Sequence, residues 1–173
     1  MYAQVCTRPD LAFCISVLRR FQSNLGQAYW VAGKTVLRYL QRTKEYKLVC
    51  RRMEDLRLEG YGDADFASCL DTKKCTSVVV FMFAEGAVVW KSVKQQYVST
   101  STMQAEFLAI YEATSMAMWL KNFMSMLKVV DSMQRPIQLW NDNSAAVYFA
   151  KGNRRSSRMR HLQLNFLSAK EKI

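Results

Sequence analysis

The sequence predicts an α/β fold, a mixed sheet covered by helices, and three observations carry that expectation. Residues 1–52 place apolar side chains at helical spacing. At Leu56 the period changes to alternation. Beyond it the pattern reads strand, strand, strand, long helix, strand, helix, an order whose natural packing is a mixed sheet with helices on it.

In the N-terminal segment Leu11, Cys14, Ile15, Val17, Leu18 and Phe21 recur on one helical face, and Pro9 stands at a helix start, where its missing N–H costs nothing. Trp30, Val31, Val36, Leu37, Tyr39 and Leu40 repeat the pattern, with Gly33 a mild liability inside it and Asn24-Leu25-Gly26 as the intervening turn. Leu56, Leu58 and Gly60 then alternate with Arg57, Glu59 and Tyr61, giving a strand with one polar face that ends at Asp63. Ser68 to Cys75 is a polar connection to Val78–Phe83, a fully buried strand. Glu85-Gly86 makes a tight turn into Val88-Val89-Trp90, so these two strands pair as a hairpin. Ser99–Thr102 opens the longest helix, with Ser101 and Gln104 at capping-box spacing. Its core face is Leu108, Ala109, Met116, Trp119, Leu120, Phe123 and Leu127. Met116, Met118, Met124 and Met126 read as core filler and helix surface. Pro136 precedes a short strand, Ile137–Trp140, a helix begins near Asn143, and another spans 160–172. In this order the first and fourth strands can lie parallel, side by side, with their carboxyl ends together.

Composition narrows the class. At 173 residues and 50% apolar content, with two prolines, the chain can bury a core and is not largely disordered. Its five cysteines, Cys6, Cys14, Cys50, Cys69 and Cys75, fall in no zinc-like spacing and read as reduced, mostly buried residues of an intracellular protein. No signal peptide is expected, since Arg8 and Asp10 interrupt the first apolar stretch, and the most apolar run, Val78 to Phe83, is too short to span a membrane.

The net charge of +11 is unevenly spread: +8 over residues 1–52, −3 over 53–150 and +6 over 151–173. Basic flanks around an acidic middle suit phosphates on the outside and metal within. The run Lys151, Arg154, Arg155, Arg158 and Arg160 has no acid in it and is the candidate nucleic-acid-binding segment, although a solvated helix face is the commoner meaning of a charge run. Asp63, Glu106 and Asp142 sit at element ends, in Gly-Asp-Ala-Asp, Met-Gln-Ala-Glu-Phe and Asn-Asp-Asn-Ser. Brought together they form an oxygen-only pocket suited to Mg²⁺ or Mn²⁺. Taken singly, each has a plainer reading. Asp142 serves equally as a helix cap, Glu106 as a first-turn acid favoured by the helix dipole, and Asp63 as a turn residue, as does Asp65. His161 reads as a surface or packing residue.

Seven stretches, in order, carry a resemblance: Thr7-Arg8-Pro9-Asp10-Leu11-Ala12-Phe13, Leu37-Arg38-Tyr39-Leu40, Gly60–Ala67, Asp71-Thr72-Lys73-Lys74, Trp90–Gln95, Ser99–Phe107 and Asp142-Asn143-Ser144-Ala145-Ala146. Together they make the chain resemble the C-terminal part of a copia-type retrotransposon Pol polyprotein. The resemblance implies a helical remnant of the reverse transcriptase C-terminal region at 1–52 and a ribonuclease H-like domain at 56–173, with a truncated fifth strand. It implies hydrolysis of the RNA strand of RNA–DNA hybrids, with Asp63, Glu106 and Asp142 as catalytic residues holding two Mg²⁺ or Mn²⁺ ions. The implied partners are the hybrid or another nucleic acid and the rest of a Pol polyprotein, and the implied setting is the cytoplasm, a virus-like particle or the nucleus. Departures from the family pattern stand at Leu25, Val78 and Leu162-Gln163. The fourth carboxylate that the family uses is absent, so the resemblance implies weak or no catalysis. The alternatives are a non-catalytic nucleic-acid-binding remnant and a structural piece of a larger polyprotein.

Overall fold

A computed structural model describes residues 2–23, 26–54, 56–69, 72–127 and 136–152 of the chain. Short helices come first: α1 (Tyr2–Cys6), a 3-10 turn at Pro9–Leu11, α2 (Ala12–Arg19) and α3 (Gln27–Arg42). Pro9 occupies the first turn of the 3-10 segment, as its missing N–H suits. The helical expectation for 1–52 holds only to Arg42; residues 46–53 have neither helix nor strand. The strands are β1 (Leu58–Asp65), β2 (Thr76–Phe83), β3 (Gly86–Lys94) and β4 (Gln138–Trp140), with α4 (Thr102–Leu127) and α5 (Ser144–Lys151) beside them.

The sheet order is β3-β2-β1-β4. β1 and β2 run antiparallel from Leu58 opposite Phe83 to Asp65 opposite Thr76, and β2 pairs antiparallel with β3. β4 joins β1 in parallel, with Glu59, Gly60 and Tyr61 opposite Gln138, Leu139 and Trp140. The expected parallel neighbours are therefore present. The hairpin is present too, but its two turn residues are Ala84 and Glu85, both at positive φ (52° and 59°), rather than Glu85-Gly86. Positive φ at both positions matches the twist of paired strands, and neither residue is one that favours it. Gly86 is a glycine for space: a Cβ there would meet Cys50 Sγ at 2.5 Å and the Val49 carbonyl at 2.9 Å.

α4 lies over the sheet. Leu58, Val79, Phe81, Ala113, Ala117 and Leu120 form one buried cluster, with Leu139 and Met116 packed against it. On another side of the helix Phe107, Leu108 and Ile110 pack with Ala146 and Ala150 of α5, and Phe107 meets Phe149 edge to face at 5.3 Å. This double burial corrects the expected core face of α4. Every residue from Gln104 to Ile110 is buried, whereas Trp119, Phe123 and Leu127 are exposed, Trp119 and Phe123 stacking on each other at 5.5 Å. The start of α4 is capped as its spacing implied. Ser101 Oγ accepts the Gln104 N–H at 3.2 Å, while Gln104 Oε1 reaches back to the Thr100 N–H at 2.7 Å.

The N-terminal helices attach to the hairpin. Arg20, just after α2, donates to Thr76 Oγ1 at 3.0 Å, and the Trp90 indole N–H donates to the Gln4 carbonyl of α1. Arg8 grips Asp10 with two guanidinium nitrogens and also donates to Thr43, and Tyr39 donates to Asp10 at 2.7 Å, which fixes α3 to the 3-10 turn. Two of the five cysteines, Cys69 and Cys75, are buried; Cys6, Cys14 and Cys50 are exposed, against the expectation of mostly buried thiols. Cys6 and Cys14 lie on helices and Cys50 on the connector that passes Gly86. Among the described residues no helix is long and apolar enough to cross a membrane.

Two glycines on β1 bear different loads. A Cβ at Gly60 would sit 2.5 Å from Leu139 Cδ2 and 2.6 Å from Phe81 Cε1, whereas at Gly62 the nearest atoms, on Ala109 and Ala113, lie at 3.4 Å. Gly60→Ala is expected to destabilise by about 1–3 kcal/mol through overpacking, and Gly62→Ala by less. Chemical denaturation of the two variants checks the order; equal stabilities would contradict the packing described.

Candidate metal centre

Three elements deliver the three acids. Asp63 lies near the carboxyl end of β1, Glu106 on the second turn of α4, and Asp142 in the turn from β4 into α5. The parallel pairing sets the ends of β1 and β4 side by side, and α4 starts above them. One ligand oxygen from each of Asp63, Glu106 and Asp142 lies within 4.8 Å of the others, and these three are the only acidic, histidine or cysteine group of this kind among the described residues. Asp63 and Asp142 are exposed, and Glu106 is 8% exposed.

The plainer roles now divide. Asn143, not Asp142, caps α5, its side-chain oxygen accepting the Ala146 N–H at 3.0 Å. Asp142 is therefore free of the duty that offered its simplest explanation. Asp63 Oδ1 accepts the N–H of Ala64 at 2.8 Å, but β1 continues to Asp65, so Asp63 is a strand residue. Asp65, read as a turn residue, is the last residue of that strand, and the turn begins at Phe66. Of the basic run, Lys151 is exposed at the end of α5, while Arg154, Arg155, Arg158 and Arg160 lie outside the described residues, as do His161 and the helix expected at 160–172.

Sequence reasoning missed Asn141. Its Nδ2 donates to Glu106 Oε2 at 2.8 Å and to the Gly62 carbonyl at 2.9 Å, and its Oδ1 accepts the Asn143 N–H at 3.0 Å. One amide thus links β1, α4 and the entry to α5. Its only signal in the sequence was its place beside Asp142, which does not distinguish it from a turn asparagine.

Burial lifts the Glu106 carboxyl above the ordinary glutamate range, and the charges of Asp63 and Asp142 push the same way, against hydrogen bonds from Asn141 and the Ala64 N–H that favour the ionised form. Among the described residues no lysine or arginine forms an ion pair with any of the three acids. Oxygen-only donors, collected negative charge and the lack of an ion-pair partner among the described residues fit a hard divalent cation, which would supply countercharge.

The fold and site together define an α/β protein with a mixed four-stranded sheet and a three-carboxylate cluster at the ends of its parallel strands. The comparisons give the lineage. The chain is 35% identical over its full length to "Retrovirus-related Pol polyprotein from transposon TNT 1-94" of Nicotiana tabacum, covering 13% of that protein. It is 28% identical over 92% of its length to "Retrovirus-related Pol polyprotein from transposon RE2" of Arabidopsis thaliana, covering 11% of it. A further relative, "Secreted RxLR effector protein 161" of Plasmopara viticola, is 43% identical over 69% of the chain and is covered over 84% of its own length. No protein-family model matches the chain. The chain belongs to one family with the Plasmopara protein, and its homologues include retrovirus-related Pol polyproteins from plant copia-type transposons. It spans only about an eighth of the length of those polyproteins.

A glutamate held above its ordinary range weakens the fold as pH rises. Below the ordinary value, near 4.5, it is protonated in both folded and unfolded chains; between that and its raised folded value only the unfolded chain loses the proton. In the presence of chelator, Glu106→Gln is therefore expected to gain melting temperature over the parent as pH climbs from below about 4.5 to neutral. A gap between the two melting curves that stays constant with pH would contradict the electrostatics described.

Proposed function

We propose that residues 56–173 form a ribonuclease H-like domain, preceded at 1–52 by the C-terminal helices of a reverse transcriptase, and that the domain hydrolyses the RNA strand of RNA–DNA hybrids weakly. The observation that carries this reading is the convergence of Asp63, Glu106 and Asp142 from β1, α4 and the end of β4. The sheet order and the Pol relatives support it.

Asp63, Glu106 and Asp142 would hold two Mg²⁺ or Mn²⁺ ions, which activate water and stabilise the leaving oxygen in such sites. The chain's own part is placement. Asp63 and Asp142 present exposed carboxylates at the surface, where a phosphodiester backbone can reach them, while the buried Glu106 anchors the site to α4. Asn141 keeps Glu106 turned toward the other two. Lys151, Arg154, Arg155, Arg158 and Arg160 would contact phosphates and 2′-hydroxyls without marked sequence preference. The three carboxylates that converge among the described residues would give a second Mg²⁺ few protein oxygens, and Mg²⁺ is exacting about its octahedron, so the activity would be weak.

A second reading, a structural piece of a larger Pol polyprotein, is favoured by α3. None of its residues is buried, and Trp30, Val31 and Leu37 are 57%, 51% and 66% exposed. An apolar face of that kind suits packing against another part of a polyprotein.

Cleavage of a labelled RNA–DNA hybrid tests the two. We expect slow cleavage with Mn²⁺, slower with Mg²⁺, and a loss of about 100-fold or more in Asp63→Asn but little change in Asp65→Asn. Replacing Arg154, Arg155, Arg158 and Arg160 with Ala is expected to weaken hybrid binding and flatten its salt dependence. No cleavage with either ion, or cleavage indifferent to Asp63→Asn, leaves the structural reading.

A further inference from the structure

We propose that the outward face of α3 binds single-stranded nucleic acid, with Lys34, Arg38 and Arg42 on the phosphates and Trp30 stacked on a base. None of these residues belongs to the elements that carry the three carboxylates, so the surface works whether or not a metal sits among them.

α3 is a fixed helix with one side on the protein. Tyr29 stacks on Phe21 at 4.1 Å, Val36 and Leu40 are half-buried, and Tyr39 donates to Asp10, the carboxylate that Arg8 also grips. The other side carries Lys34, Arg38 and Arg42 at four-residue steps. That spacing sets them along one ridge, about 6 Å apart on the helix axis. All three are exposed, and among the described residues none is in an ion pair. Trp30 begins the same ridge one step earlier. It is 57% exposed, with the Lys34 ammonium 5.1 Å from its ring. Residues 27–52 hold seven Lys and Arg and a single acid, Glu45, so the surroundings of the ridge share its sign.

Like charges four residues apart on a helix repel, so the ridge calls for a negative partner. A protein packed on Trp30, Val31 and Leu37 would have to bury these cations, a desolvation cost offset only by acids of its own in good geometry. A nucleic-acid backbone brings phosphates in series and releases its condensed counterions as it binds. In a duplex the bases are stacked on one another, and none is left for Trp30. A single strand offers both parts: phosphates for the ridge and an unstacked base for an exposed aromatic ring. Contacts to phosphates and to the flat of a base are common to RNA and DNA.

Fluorescence anisotropy of labelled oligo(dT) and oligo(U), each of about ten nucleotides, tests this, with a DNA duplex of the same length for comparison and EDTA present throughout. The host is the 173-residue chain with Arg154, Arg155, Arg158 and Arg160 replaced by Ala, so that α3 is read without that segment. We expect it to bind both single strands, and the duplex more weakly. Trp30→Ala is expected to weaken single-strand binding about tenfold without changing its salt dependence, and Trp30→Phe to recover most of the loss. Arg38→Ala is expected to lower the slope of log affinity against log salt by about 0.7 for either strand; Arg38→Gln serves if the alanine variant does not fold. No binding by the host, binding of only one of the two strands, or equal losses for single strand and duplex with Trp30→Ala silent would overturn the proposal. So would self-association that Trp30→Ala abolishes in a host that binds no oligonucleotide, which would make the face a protein contact.

Discussion

The short parallel pairing of β1 with β4 is the constraint on which the rest of the structure depends. Three residue pairs, Glu59 to Tyr61 against Gln138 to Trp140, set two strand ends together and bring Asp142 to Asp63. The pairing is possible because Gly60 has no side chain: Leu139 and Phe81 close over the space that a Cβ would take. The Asn141 amide, through its bond to the Gly62 carbonyl, continues the contact between β1 and β4 one step beyond the last ladder pair. α4 then settles over Gly62, with Ala109 and Ala113 at van der Waals distance, and this carries Glu106 to the same spot. Backbone pairing, two glycines and one amide thus assemble three like charges that oppose being assembled.

That opposition separates the site from the scaffold. The cores on two sides of α4 are apolar and closely packed, and they hold the acids in place at an electrostatic cost that no neighbouring basic residue among those described offsets. In the proposed reading a cation would complete the cluster, and the chain's homologues include Pol polyproteins, of which it corresponds to a small part. On the apolar face of α3, Trp30 is half exposed, with the Lys34 ammonium 5.1 Å from its ring.

Much of this was legible in the residues. The strand order followed from the change of period at Leu56, the capping box from Ser101 and Gln104, and the meeting of the three acids from their places at element ends. What escaped was set by tertiary contact. The hairpin turn fell one residue early because Gly86 is needed as an empty space against Cys50, while Ala84 and Glu85 take the positive φ values that local preference would give to glycine or asparagine. The buried face of α4 was misjudged because the helix packs on two sides near its start but only through Ala117, Leu120 and Met124 further along, and Trp119 and Phe123 lie off that side. Asn141 was invisible because its importance lies in partners 35 and 79 residues away.

The proposed function depends on a divalent ion seated among Asp63, Glu106 and Asp142. Crystals soaked in Mn²⁺ and measured at a wavelength where manganese scatters anomalously address that directly. The expected result is a peak about 2.2 Å from one oxygen of each carboxylate, with water completing the octahedron, absent in Glu106→Gln crystals. A map with no peak there, or with manganese bound only elsewhere on the surface, would contradict the account.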